Sequence, residues 1–171
     1  LFLAFPGGRM VHSSVGEPLN LSGFLSAAEF GLGAEVSGLN SVTGGVLAMT
    51  TNRDTQGLFG NNITDWSKQL LAERTGGRLY SAQKLDTVYA LDDLGITSLA
   101  RTETFGDFIG ATVSQLVQPI VNFLRNNLTT STIVRKSNQV RWYFDDNTAL
   151  IMYVPAPGSI NETRGTITAT R

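Results

Sequence analysis

Two pairs of adjacent carboxylates stand out for the chemistry they could perform. Asp145 and Asp146 lie within NQVRWYFDDNTALIMYVP, residues 138 to 155, and Asp92 and Asp93 within VYALDDLGITSL, residues 88 to 99. A catalytic carboxylate pair needs its oxygens close together in a sheltered cleft, so that one proton is shared or the two pKa values are driven apart. A hairpin tip needs only short polar residues that tolerate unusual backbone angles. Both pairs occur where an apolar stretch gives way to a turn and a second apolar stretch begins. A pair that recurs wherever the turn recurs is explained by turn chemistry, with exposed carboxylates of ordinary acidity.

The remaining reactive residues make no stronger site. His12 is the single histidine and there is no cysteine, which removes thiol nucleophiles and thiolate metal sites. Ser13 and Ser14 beside His12 invite a nucleophile reading, but no nucleophile-elbow sequence surrounds them and serine-rich turns are common. GLGAEVSG, residues 31 to 38, matches neither a Walker A loop nor a dinucleotide fingerprint and is read as glycines at turns. Arg135, Lys136 and Arg141 form the one basic cluster, a candidate interface or DNA-facing group weighed against a solvated strand edge. The 171-residue chain has a formal net charge of −1, so it has no global basic field for nucleic acid. No catalytic residue, cofactor site or metal site is assigned. Asn-x-Ser/Thr sequons at Asn20, Asn62, Asn127 and Asn161 are read as chance in a chain rich in these residues.

The elements that would hold these residues follow a repeating pattern. With 42% hydrophobic residues the chain can bury a core, and no apolar run approaches the roughly 18 to 20 residues of a membrane span. Residues 46 to 59, 88 to 99 and 140 to 153 each read as a hairpin, and a strand candidate precedes each, at Val36, Arg78 and Ser131. The hairpins start at Val46, Val88 and Val140, 42 and 52 residues apart, a spacing typical of β-propeller blades. The expected fold is mainly β: part of one larger propeller domain, with blade-like units over 36–60, 78–101 and 131–154. LFLAFP at residues 1 to 6 reads as a strand already under way, cut from a longer context.

Two details are specific enough to be tested. A two-residue loop at Asp146 and Asn147 pairs Trp142 with Ile151 and Tyr143 with Leu150, which makes both faces of the hairpin apolar and predicts burial on both sides. Between the second and third units, residues 111–127 carry Val113, Leu116, Val117, Ile120, Val121 and Leu124 at helical spacing, predicting an inserted amphipathic helix. Pro119 in its middle predicts a kink or two short helices meeting at Gln118.

The runs GRMVHSSVGEPLNLSGF, AAEFGLGAEVSGLNSVTGGVLAMTTNRDTQGLFG, LDDLGITSL, FGDFIGATVSQLVQPI and VRKSNQVRWYFDDN resemble the β-propeller virion proteins of tailed bacteriophages, the packaged-DNA-stabilisation and tail-nozzle proteins, over residues 8 to 154. The resemblance implies a non-enzymatic structural subunit of the virion neck or tail. It would form a homo-oligomeric ring with other neck and tail proteins, extend or close the DNA channel, meet packaged DNA non-specifically and retain the genome until ejection. The family supplies no catalytic residues to carry over. Three units are too few to close a propeller, which typically needs about four or more. The alternative is a receptor- or glycan-binding propeller module of a tail fibre, for which Trp66 in the polar loop NNITDWSKQ is the candidate aromatic; a propeller hydrolase stands behind both.

Overall fold

The computed structural model describes residues 1 to 42, 44 to 101, 108 to 155 and 166 to 170. Among them the chain is mainly β, organised as four antiparallel sheets with one short α-helix. The first sheet joins β1 (Phe2–Phe5), β2 (Arg9–His12) and β3 (Ala28–Gly31). The second joins β4 (Val36–Val42), β5 (Val46–Thr51), β6 (Thr55–Phe59) and β7 (Ser67–Ala72). The third holds β8 (Gln83–Lys84), β9 (Val88–Asp92), β10 (Gly95–Arg101) and β11 (Phe108–Thr112), and the fourth β12 (Leu128–Val134), β13 (Gln139–Phe144), β14 (Ala149–Tyr153) and β15 (Thr166–Thr170). Each sheet is a meander in sequence order, so every connection joins neighbouring strands.

The sheets pack face to face in a row, and the apolar residues show the order. Met10, Met49 and Leu58 form a core between the first and second sheets, and Ala48, Val88 and Leu99 one between the second and third. Between the third and fourth, Leu91 and Ile96 meet Val140, Trp142, Phe144, Leu150 and Met152. Successive residues of a strand point to opposite faces, so a strand covered on both sides must be apolar or small throughout. β9, VYALD, is buried at all five positions because its sheet lies between two others.

The third hairpin departs from its expected register. Trp142 pairs with Leu150 and Arg141 with Ile151, one residue away from the expectation. The loop spans three residues rather than two: Phe144 N–H donates to Thr148 O at 3.1 Å, and Asn147 adopts a left-handed φ of 62°. The Asp146 side chain selects this loop by accepting from Thr148 N–H at 2.9 Å. With this register Val140, Trp142, Phe144, Leu150 and Met152 share one fully buried face. Gln139, Arg141, Tyr143 and Ile151 on the other face are only half-buried. Among the described residues the expected burial on both sides is therefore corrected to full burial on one face.

The inserted helix is also shorter than the expected 111–127. Residues 108 to 112 complete β11, Gln115–Val117 forms a 3₁₀ turn, and α1 covers only Gln118–Leu124, followed by a second 3₁₀ turn at Arg125–Asn127. The break falls at Gln118 as Pro119 requires, since proline is tolerated in the first helical turn, where its missing N–H has no partner to lose. The shortened helix does not bury its whole stripe: Val121 and Leu124 enter the core, while Leu116 is 99% and Phe123 79% exposed. Among the described residues no helix is long and apolar enough to cross a membrane.

Candidate functional site

The turns joining the second and third strands of the last three sheets lie at one end of the molecule, where each meets the chain that enters a first strand. Asn52 N–H donates to Glu35 O at 2.9 Å, Arg78 N–H to Leu91 O at 2.7 Å and Asp145 N–H to Asn127 O at 3.1 Å. Between these turns lies a polar cleft of about 410 Å³, lined by Glu35, Asn52, Arg78, Asp92, Asp93 and Arg125 among others. Gly77 sits at its wall, where even a Cβ would press on the Ser37 and Ser81 hydroxyls.

The two aspartates of the third sheet differ within this cleft. Asp93 is exposed at the tip and pairs with Arg78 Nη2 at 2.8 Å, and Arg125 donates to its backbone carbonyl. Asp92 ends β9, is only 7% exposed, and accepts from Leu94 N–H at 2.6 Å. Burial pushes its pKa up to about 6; the backbone hydrogen bond from Leu94 opposes this, and the neighbouring Asp93 charge adds to it. The expectation that both are exposed tip carboxylates of ordinary acidity is corrected for Asp92. The sequence repeat hides the difference, because it reports the turn and not the linker packed over it. Asp145 and Asp146 do lie exposed at their tip, where Asp146 also accepts from the Thr148 hydroxyl at 2.6 Å.

The cleft gathers two guanidiniums around one exposed carboxylate and leaves the Nε atoms of Arg78 and Arg125 buried without a hydrogen-bond partner. Such an arrangement locks loops together. Arg78, Asp93 and Arg125 tie the linker ahead of β8, the β9–β10 turn and the segment after α1. The sequence signals two of these members weakly, Arg78 opening a strand candidate and Asp93 at a turn, and gives none for Arg125, whose partner is 32 residues away.

The basic cluster is divided by the fold. Arg135 and Lys136 are exposed on the 3₁₀ turn that joins β12 to β13. Arg141 lies in β13 on the half-buried face, and its guanidinium is engaged by Gln139 Oε1 at 2.7 and 3.0 Å. His12 is buried, its Nδ1 3.0 Å from Ser13 O and its ring edge-on to Trp66 at 4.8 Å; Ser13 Oγ instead accepts from the Leu1 nitrogen at 2.9 Å. His12 and Ser13 therefore pack as structure and do not form a nucleophile and base. Trp66 closes an aromatic cluster with Phe2 and Phe30 at 5.5 and 6.2 Å. Asn161 lies outside the described residues.

No family profile, characterised protein or solved structure matches this chain.

Proposed function

We propose that the four sheets are consecutive blades of a β-propeller and that the protein is a structural subunit of a tailed-phage virion, built into a ring of the neck or tail nozzle. The observation that carries the reading is the row of antiparallel meanders, stacked face to face in chain order, with β4 against β8 and β8 against β12. A closed propeller is made by continuing such a row around an axis lined by the first strands. The role is one of assembly rather than catalysis. The exposed Leu116, Ile120 and Phe123 beside α1 suit a surface covered by neighbouring subunits, since isolated soluble domains keep large contiguous apolar patches small.

The tail-fibre reading draws less support. A glycan platform presents an aromatic face to solvent, whereas the Trp66 ring is turned toward Phe2, His12 and Phe30. The deciding experiment labels this protein in intact phage particles and images them. A ring of label on the tail axis below the head is expected. Label at fibre tips would transfer the protein to receptor binding, and particles without label would overturn the virion role.

A further inference from the structure

The polar cleft between the turns of the second, third and fourth sheets is walled by interior segments of the chain. Glu35 and Arg78 come from the linkers ahead of β4 and β8, Asn52 and Asp93 from two turns, and Arg125 and Asn126 from the segment after α1. Its volume of about 410 Å³ falls in the range of small-molecule sites, roughly 300 to 1,000 Å³. The Nε atoms of Arg78 and Arg125 are buried, so each guanidinium meets Asp93 with a terminal nitrogen.

Asp93 shows what these two cations hold. Its Oδ1 lies 2.8 Å from Arg78 Nη2 and 4.0 Å from Arg125 Nη1, while its side chain is 79% exposed. An ion pair so open to water contributes little, because solvent screens the attraction and ordering two side chains costs entropy. The Asp93 carboxylate can therefore give way to another carboxylate at small cost, whereas two guanidiniums with no anion between them repel each other. The remaining carboxyl groups of the cleft do not take its place. Asp92 is held by the Leu94 amide of its own turn, and burial keeps it mostly neutral below a pKa of about 6. Glu35 is exposed and, among the described residues, forms no ion pair with either arginine.

We infer that the cleft is a binding site for a small carboxylic acid, whose carboxylate displaces that of Asp93 from the terminal nitrogens of Arg78 and Arg125. The charge of the walls selects a monoanion. A phosphate dianion would set its second charge against Glu35 and Asp93, with both guanidiniums already engaged by the first. Asn52 and Asn126 add amides to the wall for a polar ligand body. The inference stands apart from the virion reading, since it uses only the cleft.

The test follows saturation transfer from the 171-residue chain to N-acetyl-aspartic acid α-amide, which carries the Asp93 side chain between two amides. The titration is run at about pH 5, where Asp92 is mostly neutral. Saturable binding is expected, with the uncharged N-acetyl-asparagine amide binding at least about tenfold more weakly. Arg78→Gln and Arg125→Gln should each weaken binding at least about tenfold, because a charge-assisted hydrogen bond is lost. Asp93→Asn should instead strengthen binding about two- to fivefold, since the internal competitor loses its charge while its backbone carbonyl still accepts from Arg125. This variant keeps both arginines, so its result decides even where an arginine variant fails to fold. Absent saturable binding, equal binding of the asparagine amide, or weaker binding by Asp93→Asn overturns the inference and leaves the cleft as a tie between loops.

Discussion

At the scale of single residues, two aspartates of the same sequence pattern carry different physics. The folded pKa of Asp92 is raised to about 6 from 3.8, so the fold favours its neutral form. Its contribution to stability is full below about pH 4 and is lost as pH rises through about 6. Asp92→Asn keeps the Oδ1 acceptor for Leu94 and removes the ionisation. The variant should gain on the parent by about 1 to 2 kcal/mol between pH 4 and pH 8, after discounting for solvent in the cleft, as read from denaturant titrations at both pH values. Asp145→Asn with Asp146→Asn, at the exposed tip, should cost at most about 1 kcal/mol and leave assembly unchanged. Loss of assembly by a folded double variant would give the tip a role beyond the turn. Trp142 is fully buried, and its Nε1 donates to Ser81 O at 2.9 Å, tying the fourth sheet to the linker ahead of β8. Trp142→Ala should destabilise by about 3 to 5 kcal/mol in the same titration.

At the scale of elements, the join between β10 and the start of the helical insertion is closely packed. Gly95 opens β10 at a φ of 115°, a conformation that side chains disfavour, and a Cβ there would run into the Ser114 hydroxyl and the Gln118 amide. Those two side chains hold the insertion to the sheet: Ser114 Oγ accepts from Ile96 N–H and donates to Gln118 Oε1, both at 2.9 Å. Gly95→Ala should therefore cost more than about 1 kcal/mol, while Gly45→Ala, also at positive φ but with open space around it, should cost less. Equal midpoint shifts in thermal melts would mean that backbone strain alone, and not the packing of the insertion, makes Gly95 necessary.

At the scale of the whole molecule, the described residues form a row in which the second and third sheets are covered on both faces by described neighbours. The third sheet presents a strand buried throughout, whereas β13 of the fourth alternates buried and half-buried positions. The α1 region adds exposed Leu116 and Phe123. Apolar patches of this kind promote association with other chains. The isolated 171-residue chain should show oligomers or aggregates by light scattering at micromolar concentration. A clean monomer that unfolds cooperatively would count against the assembly reading.

The sequence by itself determined the three hairpins, but not β7, β11 and β15, and of the strand candidate from Arg78 only Gln83–Lys84 pairs, as β8. Apolar stretches interrupted by Asp, Asn and Gly placed the hairpins at 46, 88 and 140, and Pro119 placed the helical break at Gln118, because strand alternation, turn preference and the missing proline amide act over a few neighbouring residues. It gave less of the first sheet, whose β2 and β3 are separated by a long loop without a hairpin signal. Only the tertiary structure decided which faces are covered. The register of the third hairpin turned on one extra loop residue, held by the Asp146 side chain, and moving it by one changed which residues face each other across the strands. The cleft escaped the sequence for the same reason. The acidity of Asp92 and the meeting of Arg78, Asp93 and Arg125 depend on linkers folded back over the turns, contacts between segments up to 32 residues apart that no local pattern encodes.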